Sequence, residues 1–409
     1  MEFDTKTREL SLSGEGPCLT CTALASTSDK TSFAYVSARD RWPVILTGAI
    51  DDIYRAVSES AGTKQQEGKR IIEDLAKLKY ELQHDRQLTP LPDDGQPDIA
   101  GYNAELEQLG NPSWFNVPWL FAECYLYRRI ATSFSLSKEW KSHDVFARQK
   151  MSTFRSSRPA VLELANRYHE LISQMEKITD DEAEKILFME MCEVCLWGNA
   201  TDLSLLTSLT YEDIQKLQGS EARKASEKNI IINDLGKAYD VLKKAKNEGK
   251  KTRQVDIILD NAGFELYVDL ILSGFLLSAG LATNVVLHSK SIPWLPGTAP
   301  KLYEDLKESE LVIFKGDLNY RKLTGDNTAD TVKAVWDPTT PFTEAIGPLG
   351  PGSGVNVLAL RTCKADVVVG LKPGEDEKLR EMEGGGGDSG ARKWAWSGKW
   401  AVVSFSSGK

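Results

Sequence analysis

From Val255 to the C-terminus, short and largely apolar runs alternate with helical stretches. The runs are Val255–Leu259, Thr283–Leu287, Leu311–Phe314, Val355–Leu360 and Trp400–Phe405. A strand that is apolar on both faces has to be covered on both faces. That requirement describes a parallel sheet held between layers of helices. Helices are expected between the runs, over Phe264–Ala279 and Leu302–Lys307. The fold class is therefore α/β, a three-layer αβα sandwich with a mostly parallel sheet. One stretch, Leu270–Leu287, is long enough and sufficiently free of charge to be weighed as a membrane span. It carries Ser273, Gly274, Ser278, Gly280 and Asn284, and divides at Ala279-Gly280-Leu281 into a helix and a strand. No membrane partner is expected.

The preceding part of the chain reads differently. Between Thr27 and Gly249 the apolar spacing is mainly helical. Lys64–Asp85 places Ile71, Ile72, Leu75, Leu78 and Leu82 at helical intervals, and Pro90–Pro97 is a loop. Helices follow over Trp114–Leu136, Arg158–Lys177, Asp180–Trp197 and Asp234–Lys246. Thr179 and Glu182 form a capping box at the start of the third of these. Two domains are expected, a mainly helical one over residues 1–250 and the α/β domain over 251–409. Glu375–Gly390, with Gly384–Gly387 inside it, reads as a mobile surface loop. It has neither the Lys-Ser/Thr ending nor the preceding strand of a phosphate cradle.

Composition excludes some partners. Fifty basic against 59 acidic residues give a net charge of −9, so a nucleic-acid binder, which needs a basic face, is not expected. Six cysteines in 409 residues are too few for a disulfide scaffold. Free thiols in a reducing cytoplasmic or nuclear compartment are expected, with no secretory leader. Cys18/Cys21 and Cys192/Cys195 are each spaced C-x-x-C. The spacing fits either a shared zinc site or simple burial, and burial is preferred for the second pair, which lies in an apolar helix. The four histidines show no ligand spacing.

In open α/β sheets ligands bind beyond the carboxyl ends of the strands. Polar residues gather there in this sequence. Asp260-Asn261-Ala262-Gly263-Phe264-Glu265 follows the first run, Lys315-Gly316-Asp317 the third, and Arg361-Thr362-Cys363-Lys364 the fourth. Asp260, Asn261 and Asp317 offer oxygen and no imidazole or thiol, a donor set for a hard divalent ion such as Mg²⁺ or Mn²⁺. Arg361, Lys364 and Lys399 would supply positive charge for a phosphoryl group. Each piece has an ordinary alternative: Asp-Asn pairs cap helices, and Lys-Gly-Asp occurs in solvent loops. Glu123 with Arg128, and Asn199, are further substrate-contact candidates, set against a solvated or salt-bridged helix face and a helix cap.

Taken together, Asp260-Asn261-Ala262-Gly263 with Glu265, Lys315-Gly316-Asp317-Leu318-Asn319-Tyr320-Arg321-Lys322-Leu323 and Arg361-Thr362-Cys363-Lys364 resemble the damage-control phosphatases, also known as the domain of unknown function 89 proteins. The Arg-Thr-x-Lys element resembles the branch that holds sugar phosphate phosphatases and the proteins called acidic residue methyltransferases. The resemblance implies a helical N-terminal region on an αβα sandwich, and metal-dependent hydrolysis of sugar phosphates such as fructose 1-phosphate. It implies Mn²⁺, Mg²⁺, Co²⁺ or Ni²⁺ held by Asp260, Asn261 and Asp317, with Asp260 and Asp317 catalytic. Glu265, Arg361, Thr362, Cys363, Lys364, Ala365 and Lys399 would line the substrate site. Either water or the Asp260 carboxylate would be the nucleophile. The competing activity is S-adenosylmethionine-dependent protein-glutamate O-methylation. The common fold for that cofactor places a Gly-rich turn after its first strand, where this chain has Asp260-Asn261. The oligomeric state is not legible.

Overall fold

The computed structural model describes residues 26–174, 181–198, 227–289, 300–324 and 336–409. The chain forms two compact units. The first is built from residues 26–149 and the second from residues within 150–409. Among the described residues no helix is long and apolar enough to cross a membrane.

The first unit is helical. α1 (Trp42–Ser58) buries Leu46, Ala49, Ile53 and Val57, and α2 (Gly62–Gln83) buries Ile71, Leu75, Leu78 and Leu82. Both sets recur at three- and four-residue intervals, so each helix has one apolar stripe to bury. α3 (Ile99–Gln108) and α4 (Trp119–Ser135) complete the set used below. α4 begins five residues later than its apolar pattern suggests, because Pro118, with ψ 131°, stands extended at the N-cap. Arg128 of α4 has no exposed side chain. Its guanidinium donates to Asp94 Oδ2 at 2.7 Å and Oδ1 at 2.8 Å, and to Asp98 Oδ2 at 2.9 Å. That fork staples the Pro90–Pro97 loop to α4, and the salt-bridged alternative for this face accounts for Arg128.

The second unit carries one sheet of six strands among the described residues. These are β1 (Ile230–Asn233), β2 (Gln254–Ile258), β3 (Asn284–His288), β4 (Leu311–Lys315), β5 (Val357–Thr362) and β6 (Ala401–Ser406). Their order is β1-β6-β5-β4-β2-β3. All neighbours are parallel except β5 and β6, which run antiparallel. The helices used below are α5 (Arg158–Gln174), α6 (Asp181–Gly198), α7 (Leu235–Asn247) and α8 (Phe264–Ser278). On one face Val255, Ile257, Leu311, Ile313, Leu358, Leu360 and Val403 pack with Cys192 and Leu196 of α6, Leu235 and Leu242 of α7, and Leu272 and Phe275 of α8. The Leu270–Leu287 stretch divides as expected, α8 ending at Ser278 and β3 starting at Asn284. α9 (Gly316–Thr324) covers the opposite face, where its Tyr320 ring lies 4.2 Å from the Arg361 guanidinium.

Two departures from the sequence reading concern this unit. The expected boundary after residue 250 falls inside it: Ile230–Asn233 is an edge strand paired with β6, and α6 and α7 pack on the sheet. The Glu375–Gly390 stretch is only partly loop. It opens with a short helix, α10 (Glu375–Glu381), whose acidic first turn and basic last turn suit the helix dipole. Asp376 of α10 accepts two bonds from Arg392, at 2.8 and 3.1 Å, and one from Trp394 Nε1 at 2.9 Å. Those three bonds tie both ends of the glycine run together.

Candidate active site

The chain passes from β2 to β3 on one side and then crosses to β4 on the other, so the strand order reverses between β2 and β4. At such a switch point the connections leave in opposite directions and open a crevice at the carboxyl ends. The motif acids stand at that point. Leu259 closes β2 by donating to the His288 carbonyl at 3.0 Å, and Asp260 comes next. Lys315 closes β4, and Gly316-Asp317 opens α9.

A glycine at the start of α9 makes room for Asp260. Gly316 has φ +82°, and a Cβ built on it would lie 2.0 Å from Asp260 Oδ2. A side chain here would both strain the backbone and displace the carboxylate. Asp260 therefore rests against the residue that precedes Asp317. Asn261 links this pair to α8: its Nδ2 donates to Asp260 Oδ2 at 3.2 Å and to Glu265 Oε2 at 2.9 Å. Glu265 is 2% exposed, and burial, reinforced by the Asp260 charge, pushes its carboxyl up to about 8. Lys315 and Lys364 act against that rise.

Asp317 is held from β5 and the loop after it. Its Oδ1 accepts from Arg361 Nε at 2.8 Å and from the Lys364 backbone N–H at 2.9 Å. Arg361 also donates to the carbonyls of Val367 and Ala365, the latter at 3.0 Å. Its side chain has no exposed surface. Expected as a cation for a phosphoryl group, Arg361 is spent inward, shaping the 363–367 loop and fixing Asp317. Thr362 and Cys363 are also turned in: Thr362 Oγ1 donates to the Leu196 carbonyl at 3.1 Å, and Cys363 is buried. Lys364 and Ala365 are buried in the same loop. Lys399 is exposed and stands between two backbone bonds to Cys363, Gly398 N to Cys363 O at 3.0 Å and Cys363 N to Trp400 O at 2.8 Å. Lys364 and Lys399 thus both lie next to Cys363 along the backbone, Lys364 buried in the loop and Lys399 exposed. Glu123 lies half-buried on α4 of the first unit. Asn199, Cys18 and Cys21 lie outside the described residues, whereas Cys192 and Cys195 are buried in α6.

The donor chemistry fits a hard cation. Among the described residues, Asn261 Oδ1 and Asp317 Oδ2 accept no hydrogen bond, and Asp260 is alongside. Also among the described residues, no three His, Cys, Asp or Glu side chains converge closely enough to hold an ion alone. An ion here would depend on the Asn261 amide and on water or phosphate oxygens, which is how Mg²⁺-like ions are usually bound.

The sequence profile of the damage-control phosphatase ARMT1-like domain matches residues 37–296 and 294–379. This chain belongs to the ARMT1-like damage-control phosphatase family. Proteins named damage-control phosphatase ARMT1 are similar to it along nearly their whole length. The Xenopus laevis protein is 34% identical, over 93% of this chain and 98% of its own. The Danio rerio protein is 33% identical, over 92% and 95%, and the Homo sapiens protein 32%, over 94% and 98%. These alignments run over 447 to 455 positions, more than the 409 residues of this chain, so the relatives carry segments with no counterpart here.

Sequence reasoning gave no role to three members of this neighbourhood. Lys315, Asp269 and Cys195 are buried together behind the motif acids. The available signal was a lysine ending the otherwise apolar Leu311–Phe314 run, and a second acid four residues after Glu265 in an apolar helix.

Proposed function

We propose that this chain is a divalent-metal-dependent phosphatase that hydrolyses small sugar phosphates, fructose 1-phosphate and related metabolites among them, in metabolite damage control. The observation that supports the reading is the packing of Asp260 against Gly316, which brings the acid after β2 next to the residue preceding Asp317 at the sheet's switch point. A cation bound by Asp260, Asn261 and Asp317 would polarise a phosphoryl oxygen and so supply Lewis-acid assistance. Mn²⁺, Mg²⁺, Co²⁺ and Ni²⁺ are the ions proposed.

The protein groups divide the remaining work. Lys364 and Lys399 face the phosphate and offset the charge that spreads over its equatorial oxygens. Arg361 keeps Asp317 and the 363–367 loop in register without meeting the substrate. Glu265, beside Asn261, orients the amide whose oxygen is left for the ion. The S-adenosylmethionine reading draws no support from the geometry: the turn after β2 is Leu259-Asp260-Asn261-Ala262-Gly263, with an acid where a cofactor-cradling glycine run would be needed.

The test is hydrolysis of p-nitrophenyl phosphate and fructose 1-phosphate with each ion and then with EDTA. Asp260→Ala should lower metal-dependent turnover at least about 100-fold. Asp317→Asn, which keeps an oxygen for Arg361, should do the same without unfolding the loop. Full activity in both variants, or in EDTA, would overturn the assignment.

A further inference from the structure

Behind the strand-end acids lies a second charged cluster, closed off from solvent. The Lys315 side chain has no exposed surface, and its Nζ sits 2.9 Å from Asp269 Oδ1, whose side chain is equally buried. The same ammonium donates to the Cys195 carbonyl at 2.6 Å and to Cys195 Sγ at 3.0 Å. The thiol in turn donates to Asp269 Oδ1 at 2.8 Å. Burial, and then Asp269, push the Cys195 thiol well above its ordinary range, so it stays protonated and available as that donor.

Stability alone does not account for a charge pair here. Burying two ions costs several kcal/mol each, and well-packed apolar residues of the same volume are often as stable or more so. The cluster's position suggests what it is kept for. Lys315 directly precedes Gly316 and Asp317. Asp269 stands one turn beyond Glu265 on the same face of α8. Cys195 belongs to the last turn of α6, next to Leu196, whose carbonyl receives Thr362 of β5. A single ammonium therefore joins β4, α8 and the α6 turn that docks on β5.

We propose that the Lys315–Asp269 pair, bridged by the Cys195 thiol, is a positioning device for the active site. It sets the first turn of α8, with Glu265, against the end of β4, with Gly316 and Asp317. The inference rests on the phosphatase reading of that site.

Single substitutions would leave an uncompensated buried charge and confuse positioning with unfolding. The decisive variant is the double exchange Lys315→Met with Asp269→Leu, which replaces the pair by apolar side chains. It should melt within a few degrees of the unsubstituted chain. Its kcat for p-nitrophenyl phosphate with Mn²⁺ should fall on the order of 30- to 100-fold, the loss that follows from misplacing a catalytic group by about an ångström. KM should stay within about threefold, because the pair does not touch substrate. Cys195→Ser, which keeps a donor to Asp269, should retain kcat within about threefold. A double variant that folds and turns over normally would show that the pair only packs, and one that melts far below the parent would show that it only stabilises. Either result overturns the proposal. Asp260→Ala in the same assay separates the failures. If it abolishes turnover while the double variant stays active, only this inference falls; if it stays fully active, the phosphatase reading falls and the inference with it.

Discussion

Substituting Gly316 by alanine tests the contact on which the site depends. Gly316 has φ +82°, and an added Cβ would stand 2.0 Å from Asp260 Oδ2, 2.5 Å from its Cγ and 2.8 Å from its Cβ. Two costs follow. Holding alanine in a left-handed conformation costs about 1–2 kcal/mol. The close contact also forces the Asp260 side chain away by on the order of an ångström, since no real Cβ tolerates such distances. Gly374 provides the control. Its φ is +83° and nothing lies within 4 Å of its added Cβ, so Gly374→Ala carries the backbone cost alone. Both variants should lose a few degrees of melting temperature. Only Gly316→Ala should lose metal-dependent turnover, by about 100-fold, which corresponds to roughly 2.7 kcal/mol in the barrier. Parallel thermal melts and p-nitrophenyl phosphate kinetics with Mn²⁺ measure both. If Gly316→Ala keeps activity within about threefold of Gly374→Ala, Asp260 does not need its place against Gly316, and the site as built here is wrong.

Further outcomes follow from the same structure. Arg361→Met removes the fork that holds Asp317 and the carbonyls of Ala365 and Val367, and should destabilise the second unit by about 3–5 kcal/mol in chemical denaturation. In the first unit, hydrogen bonding to Arg128 outweighs burial and, with Ser135, holds the Asp94 carboxyl down to about 2. An acid depressed on folding adds stability that is present above its unfolded pKa, near 4, and is lost as pH falls through 2. Between those values the parent should therefore lose on the order of 2 kcal/mol more than Asp94→Asn does in acid denaturation; equal slopes would refute the ion pair's role. Asp376→Ala removes the carboxylate that holds Arg392 and Trp394 and should expose the 384–390 glycine segment to limited proteolysis that the parent resists.

Most parts of this fold legible in the sequence are those that burial decides, although the edge strand β3, only partly buried, was legible from its Val-Val-Leu run as well. β2, β4 and β5 show as apolar runs because both of their faces are covered. β1 was hidden because Ile230–Asn233 has four residues and abuts α7, so its period merges with the helical pattern on either side. The antiparallel direction of β6 leaves no trace in composition, since a buried strand reads the same both ways. At the site, Asp260 and Asp317 were visible as acids set straight after apolar strands. The inward turn of Arg361 was not, because the Asp317 carboxylate and the 365 and 367 carbonyls that capture it are brought near only by the folded loop. Lys315 and Asp269 were obscured for the same reason: each is a charge whose only justification is a partner distant in sequence.

Calorimetric titration of the metal-stripped full chain with Mn²⁺ tests the central claim most directly. One ion per chain should bind, and Asp260→Ala and Asp317→Asn should each weaken that binding at least about 30-fold while Glu123→Gln leaves it unchanged. Equal stoichiometry and affinity in the parent and both site variants would contradict the account.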